Sequence, residues 1–458
     1  MTSLDEAIAE MEPWFVDSLV GAVKIPSISS DPSRVDDVAK CSDYFRELLK
    51  EIGVSAEIVE TKGHPTVLGN LITDDSAPVV MIYSHVDVQP VNMSDWTYNP
   101  FNAVADKEKK IIYGRGATDD KGPTLIGIAA AKKARELGSN VNIRFVLDGE
   151  EESGSPNFPE VIAARPDFFS GVDYLLLNDG MWASEDRPAL IMGRRGLVCS
   201  RIELELADGS VHSGLAGGVA MNPLAELASL YAYCADYSTG NINIPGIYDG
   251  MEVLSDSELD KCLEDFDPEN FLHELGLTSD NTRNMSRKEK IRHMWGMPTF
   301  EIHGMAGGHT SWSGFSTSIP GKACLYASMR TVPGQDPEQM LVSLKEHVRK
   351  FDSRIEVTAL SLTPAYGIRQ DEKGLDYLES AYEEGFGCRP VRVRGGGTES
   401  AAIYLKNATG KPPLPFTLSR PSEGYHKENE HFRYGQSFPG GVKTFLNFFS
   451  RVAQTHHA

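Results

Sequence analysis

The stretch APVVMIYSHVDVQP, residues 77–90, places an almost continuous apolar run directly before a histidine and an aspartate. An uninterrupted run of this kind is typical of a strand that is covered on both faces. His85 and Asp87 follow the run, and on an extended segment their side chains point to the same side. The stretch therefore predicts a buried parallel strand that ends in two polar residues.

Two further apolar runs have the same character, NIRFVLD at 142–148 and DYLLLND at 173–179. Between the first run and these two lies GPTLIGIAAAKKARELG, which predicts a helix that Pro123 begins and Gly138 ends. Apolar strands that alternate with helices predict an α/β domain built on a mainly parallel sheet.

The pattern changes after Arg195. LVCSRIELEL at 197–206 alternates apolar and polar residues, as a strand with one exposed face does. The segments that follow are a helix at 221–237, strands at 299–307 and 322–332, a helix opened by Asp336 and Pro337, and a strand at 353–362. This order is typical of a small α+β sandwich, here inserted into the α/β domain and carrying a polar, charge-rich insertion at 241–297.

Bulk composition excludes several classes of protein. A chain of 458 residues is long enough for two domains, and its net charge of −21 would repel a nucleic acid. The sequence contains no apolar run of about 18 residues, the length that a membrane span needs. The acidic N-terminus lacks the features of a secretory signal, so we expect a cytoplasmic protein. The six cysteines form no CxxC pair, so any metal would be held by oxygen and imidazole ligands.

Charged residues are concentrated where the predicted strands end. In open parallel sheets, ligands bind outside the carboxyl ends of the strands, so clusters that are distant in sequence should meet at one edge. The clusters are SHVDVQP (84–90), GRGATDDKGP (114–123), GEEESGS (149–155), Asp179 and, near the C-terminus, EGYHKENEH (423–431).

Each cluster alone also has an ordinary structural explanation, because turn histidines, helix-capping aspartates and surface histidines are common. Glu151 and Glu152 are the strongest signal, since adjacent carboxylates need a compensating positive charge. Together, two histidines and several acids match a nitrogen and oxygen site for two divalent ions. Such ligands suit Zn²⁺, with Mn²⁺ or Co²⁺ as alternatives.

The motifs HVDVQP, GRGATDDKGP, EEESGS, NDG, HSG and YHKENE, in this order, resemble a di-metal metallopeptidase family. This family contains aminoacylases, succinyl-diaminopimelate desuccinylases, glutamate carboxypeptidases and carnosinase-like dipeptidases. The chain is most similar to the carnosinase-like cytosolic dipeptidases. The resemblance implies a catalytic domain of residues 1–194 and 366–458, and a lid and dimerisation domain of residues 195–365.

The resemblance also implies a role for each motif residue. Asp119 would bridge the two metals, and a cis peptide would follow it. Asp87 would orient His85, Glu151 would be the general base, and Glu150 would be solvated without a role. The remaining metal ligands would be His85 and Asp179 on one ion, and Glu152 and His426 on the other.

In the lid domain the resemblance implies substrate contacts. His212 would reach the partner subunit's site in a homodimer and stabilise the oxyanion, although the pattern alone fits a strand-end histidine. Arg330 would bind the terminal carboxylate of the substrate, although a surface arginine fits its position as well. Further contacts would come from Thr317, Gly397 and Thr398.

The implied function is metal-dependent cleavage of the amide bond of dipeptides with a free C-terminal carboxylate, through a metal-bridging water that Glu151 activates. The alternative is an N-acyl-amino-acid deacylase or desuccinylase with the same di-metal site. A free amine would need an acidic or carbonyl partner, and a succinyl group would need another cation. Two departures from the family pattern alter the substrate-facing loops, Ser210-Val211 before His212 and Gly-Gly-Thr followed by Glu399.

Overall fold

The structure is a computed structural model that describes residues 3–308, 310–311 and 314–456. Its largest sheet, here called the central sheet, has six strands. Across the sheet they are Ser55–Val59, Thr66–Leu71, Asn142–Asp148, Val79–His85, Tyr174–Leu177 and Pro413–Pro415. The last four run parallel to one another, and the first two form an antiparallel pair at one edge. The predicted α/β class with a mainly parallel sheet is confirmed.

The apolar strand Val79–His85 is covered on both faces of this sheet. Ile82 faces Gly127 in the helix Gly122–Glu136, while Tyr83 packs edge-on against Phe158 on the opposite face, with ring centroids 6.2 Å apart. The other helices of this part are Leu4–Ala9, Glu12–Val23, Val35–Glu51, Phe158–Ala164, Pro166–Phe169, Leu375–Phe386, Ser400–Thr409 and Tyr434–His456. An apolar residue at nearly every strand position is therefore required by helices on both sides.

A second sheet, here called the lid sheet, has four antiparallel strands and its own hydrophobic core. Across the sheet they are Thr299–Gly307, Lys322–Thr331, Gly196–Glu205 and Glu356–Thr363. Its buried face packs on the helices Pro223–Cys234 and Pro337–Phe351, which Asn222 and Asp336 cap. The predicted strand–helix–strand–strand–helix–strand order is present, with burial alternating along Gly196–Glu205.

The polar insertion begins in the lid core, to which Ile242, Ile244 and Ile247 belong, and continues as three helices. Its helices are Asp256–Asp265, Pro268–Glu274 and Arg287–Trp295. Leu259, Ile291 and Trp295 form a small core with Ile191 and Val393. Those two belong to a three-stranded sheet of Ala189–Arg194, Tyr366–Gly367 and Val391–Gly395. The insertion therefore contacts the part of the chain that we assign to the catalytic domain.

The remaining strands are short. Val104–Asp106, Ile111–Tyr113 and His431–Arg433 form a second three-stranded sheet, and three pairs of two-residue strands lie in the lid region. These pairs are Val211–His212 with Ser318–Ile319, Ala235–Asp236 with Asn241–Ile242, and Thr310–Ser311 with Gly314–Phe315. A short helix, Ser213–Ala216, follows the first of them.

The described residues contain neither a candidate membrane-spanning helix nor a disulfide bond. Within these residues, no helix is both long and apolar enough to cross a bilayer. All six cysteines are free thiols.

The two ends of the chain meet through Phe15. Its buried ring packs against Phe432, Tyr434 and Phe438, with centroids 6.2, 6.1 and 4.5 Å away. Because Tyr434 and Phe438 lie in the first turns of the C-terminal helix, this cluster joins the helix Glu12–Val23 to the last helix of the domain.

We expect Phe15→Ala to lower the free energy of unfolding by about 3–5 kcal/mol, because truncation leaves a cavity among three aromatic rings. Thermal unfolding followed by circular dichroism would measure the shift. Leu4→Ala is the control, since Leu4 is 41% exposed and its removal should change stability by about 0.5 kcal/mol or less. Equal shifts in both variants would contradict the role of the aromatic cluster.

Candidate metal centre

Three neighbouring parallel strands bring the polar clusters to one edge of the central sheet. His85 is the last residue of its strand and pairs in register with Asp148 on the next strand. Glu151 and Glu152 lie in the turn that follows Asp148, and Asp179 lies two residues beyond the strand Tyr174–Leu177. Carboxyl ends of parallel strands share an edge, so the predicted convergence is confirmed.

Asp119 occupies the middle of this cluster. One of its carboxylate oxygens, Oδ1, lies 3.0 Å from His85 Nε2, and the other, Oδ2, lies 2.9 Å from His426 Nε2. The Asp119–Asp120 peptide is cis, as expected. His426 has a φ of 58°, a left-handed conformation that non-glycine residues adopt rarely and often at functional sites. A carboxylate between two imidazoles has the arrangement of a bridging ligand.

Two groups of donor atoms are close enough to share an ion. His85, Asp119 and Glu152 form one group, and His85, Glu151 and Asp179 form the other, with all donor atoms of each group within 4.8 Å of one another. His426 Nε2 also lies 3.2 Å from Glu152 Oε2. The structure thus brings together all five predicted ligands and Glu151, while the division of the ligands between two ions stays a prediction.

The donor set fits divalent cations. Asp119 Oδ2 and Glu152 Oε1 are buried, and neither makes a hydrogen bond with the described residues. Burial raises the pKa of the Glu152 carboxyl above its usual range, and the charge of Asp119 raises it further. Burial alone would lower the pKa of His426, but the carboxylates of Asp119 and Glu152 raise it to about 11. Such concentrated negative charge would be neutralised by bound cations, which oxygen and imidazole ligands would hold without a thiolate.

Asp87 contacts His85 and also holds the acidic turn. His85 Nδ1 lies 3.1 Å from the backbone oxygen of Asp87 and 3.4 Å from its carboxylate oxygen Oδ1, so the role of Asp87 in orienting His85 stays a prediction. The carboxylate also accepts hydrogen bonds from the backbone N–H groups of Glu151 and Glu152, at 3.1 and 3.0 Å. The backbone of Asp87 therefore contacts the imidazole more closely, while its side chain holds the turn that carries both glutamates.

The expectation that Glu150 is solvated is wrong. Glu150 is only 5% exposed, and its carboxylate accepts a hydrogen bond from the backbone N–H of His64 at 2.9 Å. Both carboxylate oxygens also accept from the side-chain amide of Asn157, at 2.9 and 3.1 Å. Glu150 is thus a buried anchor that ties the acidic turn to neighbouring loops.

Three of the predicted substrate residues meet where a strand of the lid sheet contacts the loop after Val391–Gly395, a strand of the three-stranded sheet. Arg330 is half-buried on its strand, and its Nη1 donates to Thr398 Oγ1 at 2.6 Å. The Thr398 hydroxyl in turn donates to the backbone oxygen of Arg195 at 2.8 Å. Gly397 precedes Thr398 in the same loop. Arg330 is therefore an ordered residue between the sheets, and its contact with substrate stays a prediction.

His212 and Thr317 lie together on the exposed surface of the lid. His212 Nδ1 accepts from the backbone N–H of Gly214 at 2.9 Å, and the N–H of Ser213 donates to the backbone oxygen of Thr317 at 3.0 Å. Within the described part of one chain, no hydrogen bond or ion pair joins either residue to the metal ligands. The structure therefore does not bring these two residues into the site of their own chain.

Glu430 supports the turn that carries Asp119, a role that was not predicted from the sequence. This buried carboxylate accepts hydrogen bonds from Arg115 Nη1, at 2.8 Å, and from the backbone N–H groups of Gly116, Thr118 and Asp119, at 3.0, 2.9 and 3.1 Å. It therefore holds the turn that presents Asp119. The sequence signal that could have indicated this role is the position of Glu430 in the motif EGYHKENEH, four residues after His426.

Two further residues, which the sequence did not predict as part of the site, donate hydrogen bonds to predicted metal ligands. The Tyr425 hydroxyl donates to Asp179 Oδ1 at 2.6 Å, and Gln89 Nε2 donates to Glu152 Oε2 at 2.6 Å. Donors of this kind orient ligands and tune the metal that they hold. Both residues lie inside motifs singled out from the sequence, Tyr425 next to His426 and Gln89 in HVDVQP.

Imidazole and carboxylate donors for two ions, with a further carboxylate beside them, define a class of metal-dependent hydrolases. A model of peptidase family M20/M25/M40 matches residues 81–451, and the chain belongs to this family of metallopeptidases.

Relatives and a solved structure match the chain over nearly its whole length. The Beta-Ala-His dipeptidase of Rattus norvegicus is 29% identical over 483 residues, covering 99% of this chain and 94% of the relative. The Cys-Gly metallodipeptidase dug1 of Schizosaccharomyces pombe is 30% identical over 475 residues, covering 99% of this chain and 98% of the relative. The structure of the dipeptidase Dug1p from Saccharomyces cerevisiae is similar with a TM-score of 0.85 and 27% identity, over 98% of each chain.

We expect Glu430→Gln to weaken metal binding about 10–100-fold, because the amide nitrogen of glutamine would face N–H groups that now donate to a carboxylate. Metal content after dialysis against buffered Zn²⁺ would measure the change. Glu428→Gln is the matched control, since Glu428 is an exposed residue of the same loop. Unchanged metal binding in Glu430→Gln would show that the turn does not depend on this carboxylate.

Proposed function

We propose that the protein hydrolyses dipeptides that carry a free C-terminal carboxylate, in a metal-dependent reaction. The observation that carries the proposal is the placement of Asp119 between His85 and His426, with Glu151 in the adjacent group of donors. The similarity to enzymes named Beta-Ala-His dipeptidase and Cys-Gly metallodipeptidase supports a dipeptide substrate.

His85, Asp119, Glu152, Asp179 and His426 would hold two divalent ions. We propose Zn²⁺, with Mn²⁺ or Co²⁺ as the alternatives, because these ions accept mixed imidazole and carboxylate ligands. Bound ions of this kind polarise a carbonyl group and lower the pKa of water toward about 7.

Glu151 is the proposed general base. Burial raises the pKa of its carboxyl well above the usual range, and the charges of Asp179 and Glu152 raise it further. Asp87 holds the backbone N–H of Glu151, so the carboxylate has a defined direction. Glu151 would accept a proton from the attacking water and then donate it to the leaving amine, as a single residue serving as base and acid.

The loop that contains Gly397 and Thr398 is the proposed site for the carboxylate end of the substrate. Thr398 accepts a hydrogen bond from one nitrogen of the Arg330 guanidinium, which has further N–H donors in the same plane. A guanidinium matches a carboxylate in geometry as well as in charge.

We propose that the protein acts as a homodimer through the lid. Leu215 and Val219, close to His212 in sequence, are 87% and 89% exposed, and large apolar side chains clustered on a surface favour a protein contact. His212 and Thr317 of one subunit would then complete the site of the other, where His212 stabilises the oxyanion. We retain the domain bounds 1–194, 195–365 and 366–458, and a cytoplasmic location, which suits six free thiols.

Hydrolysis of matched substrate pairs tests the function. We expect metal-dependent cleavage of a free-amine dipeptide, abolished by chelation and restored by Zn²⁺ or Mn²⁺. Glu151→Gln should lower kcat about 10²–10⁴-fold while metal content stays unchanged, because it removes the proton acceptor but none of the five proposed ligands. Cleavage of only the N-acyl amino acid would identify a deacylase instead. No metal-dependent cleavage of either compound would refute the proposed chemistry.

Complementation between inactive subunits tests the dimer. His212→Ala alone should lower kcat about 10²–10³-fold. In a purified mixed dimer of His212→Ala and Glu151→Gln chains, one of the two sites regains both residues, so activity should return to about half that of the wild type. Mixed dimers as inactive as the parent variants would show that His212 does not act across an interface.

A further inference from the structure

Glu399 is a buried carboxylate without a role in the proposed mechanism. It follows the loop Gly396–Thr398 and directly precedes the helix Ser400–Thr409. Its side chain is 2% exposed, and its Oε1 makes no hydrogen bond with the residues that the structure describes. Its nearest cation is Arg194, whose Nε lies 2.7 Å from Oε2. Leaving such an acceptor without a hydrogen bond is costly, so a ligand that supplies the donor would be favoured.

The ion pair lies beside the metal centre. Arg194 Nη2 lies close to Gly180, the residue after Asp179. A Cβ atom added to Gly180 would lie 3.3 Å from this nitrogen. Asp179 belongs to the donor group that also contains Glu151. The charge of Glu399 acts on this group as well, because it adds to the rise that burial produces in the pKa of Glu151. Glu399 therefore borders the Asp179 side of the site.

The same loop contacts a cation on its other side. Glu399 has an extended backbone, with φ of −141° and ψ of 102°, so the side chains of Thr398 and Glu399 point in opposite directions. Thr398 accepts from Arg330, the proposed partner of the substrate's carboxylate. A short loop thus separates a cation from an anion, and a free dipeptide has the complementary charges at its two ends.

We propose that Glu399 accepts a hydrogen bond from the free ammonium group of the dipeptide, while Arg194 stays paired with the other carboxylate oxygen. This inference rests on the proposed dipeptidase function and adds the residue that selects free amines over N-acyl groups. An ammonium group carries three N–H donors and a positive charge, whereas a simple acyl group of an N-acyl amino acid has neither at this position. A succinyl carboxylate at this position would be repelled by Glu399.

The test compares alanylglycine with propionylglycine, which has the same shape but lacks the amine. We expect Glu399→Gln to lower kcat/KM for alanylglycine about 10–100-fold, the effect of losing one charged hydrogen bond, and to leave propionylglycine nearly unchanged. If the wild type does not cleave propionylglycine, its inhibition constant against alanylglycine hydrolysis replaces kcat/KM. An equal loss for both compounds, or no loss for alanylglycine, would overturn the inference.

A second variant separates recognition from the loss of the ion pair. Glu399→Gln leaves Arg194 unpaired, and this buried cation could itself repel the amine or destabilise the fold. The double variant Arg194→Met/Glu399→Gln removes both charges, and we expect it to show the same loss for alanylglycine. Recovery of alanylglycine cleavage in the double variant would overturn the inference. Metal content would confirm that each variant keeps its site.

The control is Glu356→Gln, the same substitution at an exposed position on the lid sheet, which should leave both substrates unaffected. Failure of the proposed function is read from the wild type alone, as absent metal-dependent cleavage of alanylglycine. Failure of the inference is read from the variants of an active enzyme. A wild type that cleaves both compounds equally well would also overturn the inference.

Discussion

The structure depends on burying the Asp119 carboxylate between two imidazoles at the edge of a parallel sheet. A carboxylate taken out of water is unfavourable unless cations and N–H groups surround it. His85 and His426 approach its two oxygens, and Glu430 fixes the turn on which it stands. Because Glu430 belongs to the C-terminal segment, the site forms only when distant parts of the chain have come together.

The buried acids of this site fall into two kinds that their hydrogen bonds distinguish. Asp87, Glu150 and Glu430 accept backbone N–H groups and serve to hold loops. Glu152 instead keeps a buried oxygen, Oε1, without a hydrogen bond, and both oxygens of Asp119 face imidazoles, so these atoms are the ones proposed to bind metal ions. Acids of the first kind position those of the second, which explains why so many carboxylates lie at one edge of the central sheet.

In the proposed mechanism the two larger sheets contribute different residues to binding. Three of the proposed metal ligands, His85, Glu152 and Asp179, end or follow strands of the central sheet, whereas Arg330 reaches the loop of Thr398 from the lid sheet. His212 and Thr317 remain on the exposed lid surface of their own chain. This division is what a homodimer with shared sites requires, and it leaves each single chain with an incomplete set of the predicted substrate contacts.

The sequence by itself determined three buried strands of the central sheet, the order of strands and helices in the lid, and the edge at which the charged clusters meet. Apolar periodicity is a local property, and parallel strands must end on one side, so the positions of His85, Glu152 and Asp179 could be predicted. Only the tertiary structure decided that Glu150 is an anchor and that Glu399 pairs with Arg194. The partner of a side chain depends on which segments folding brings next to it, and no local pattern records that choice.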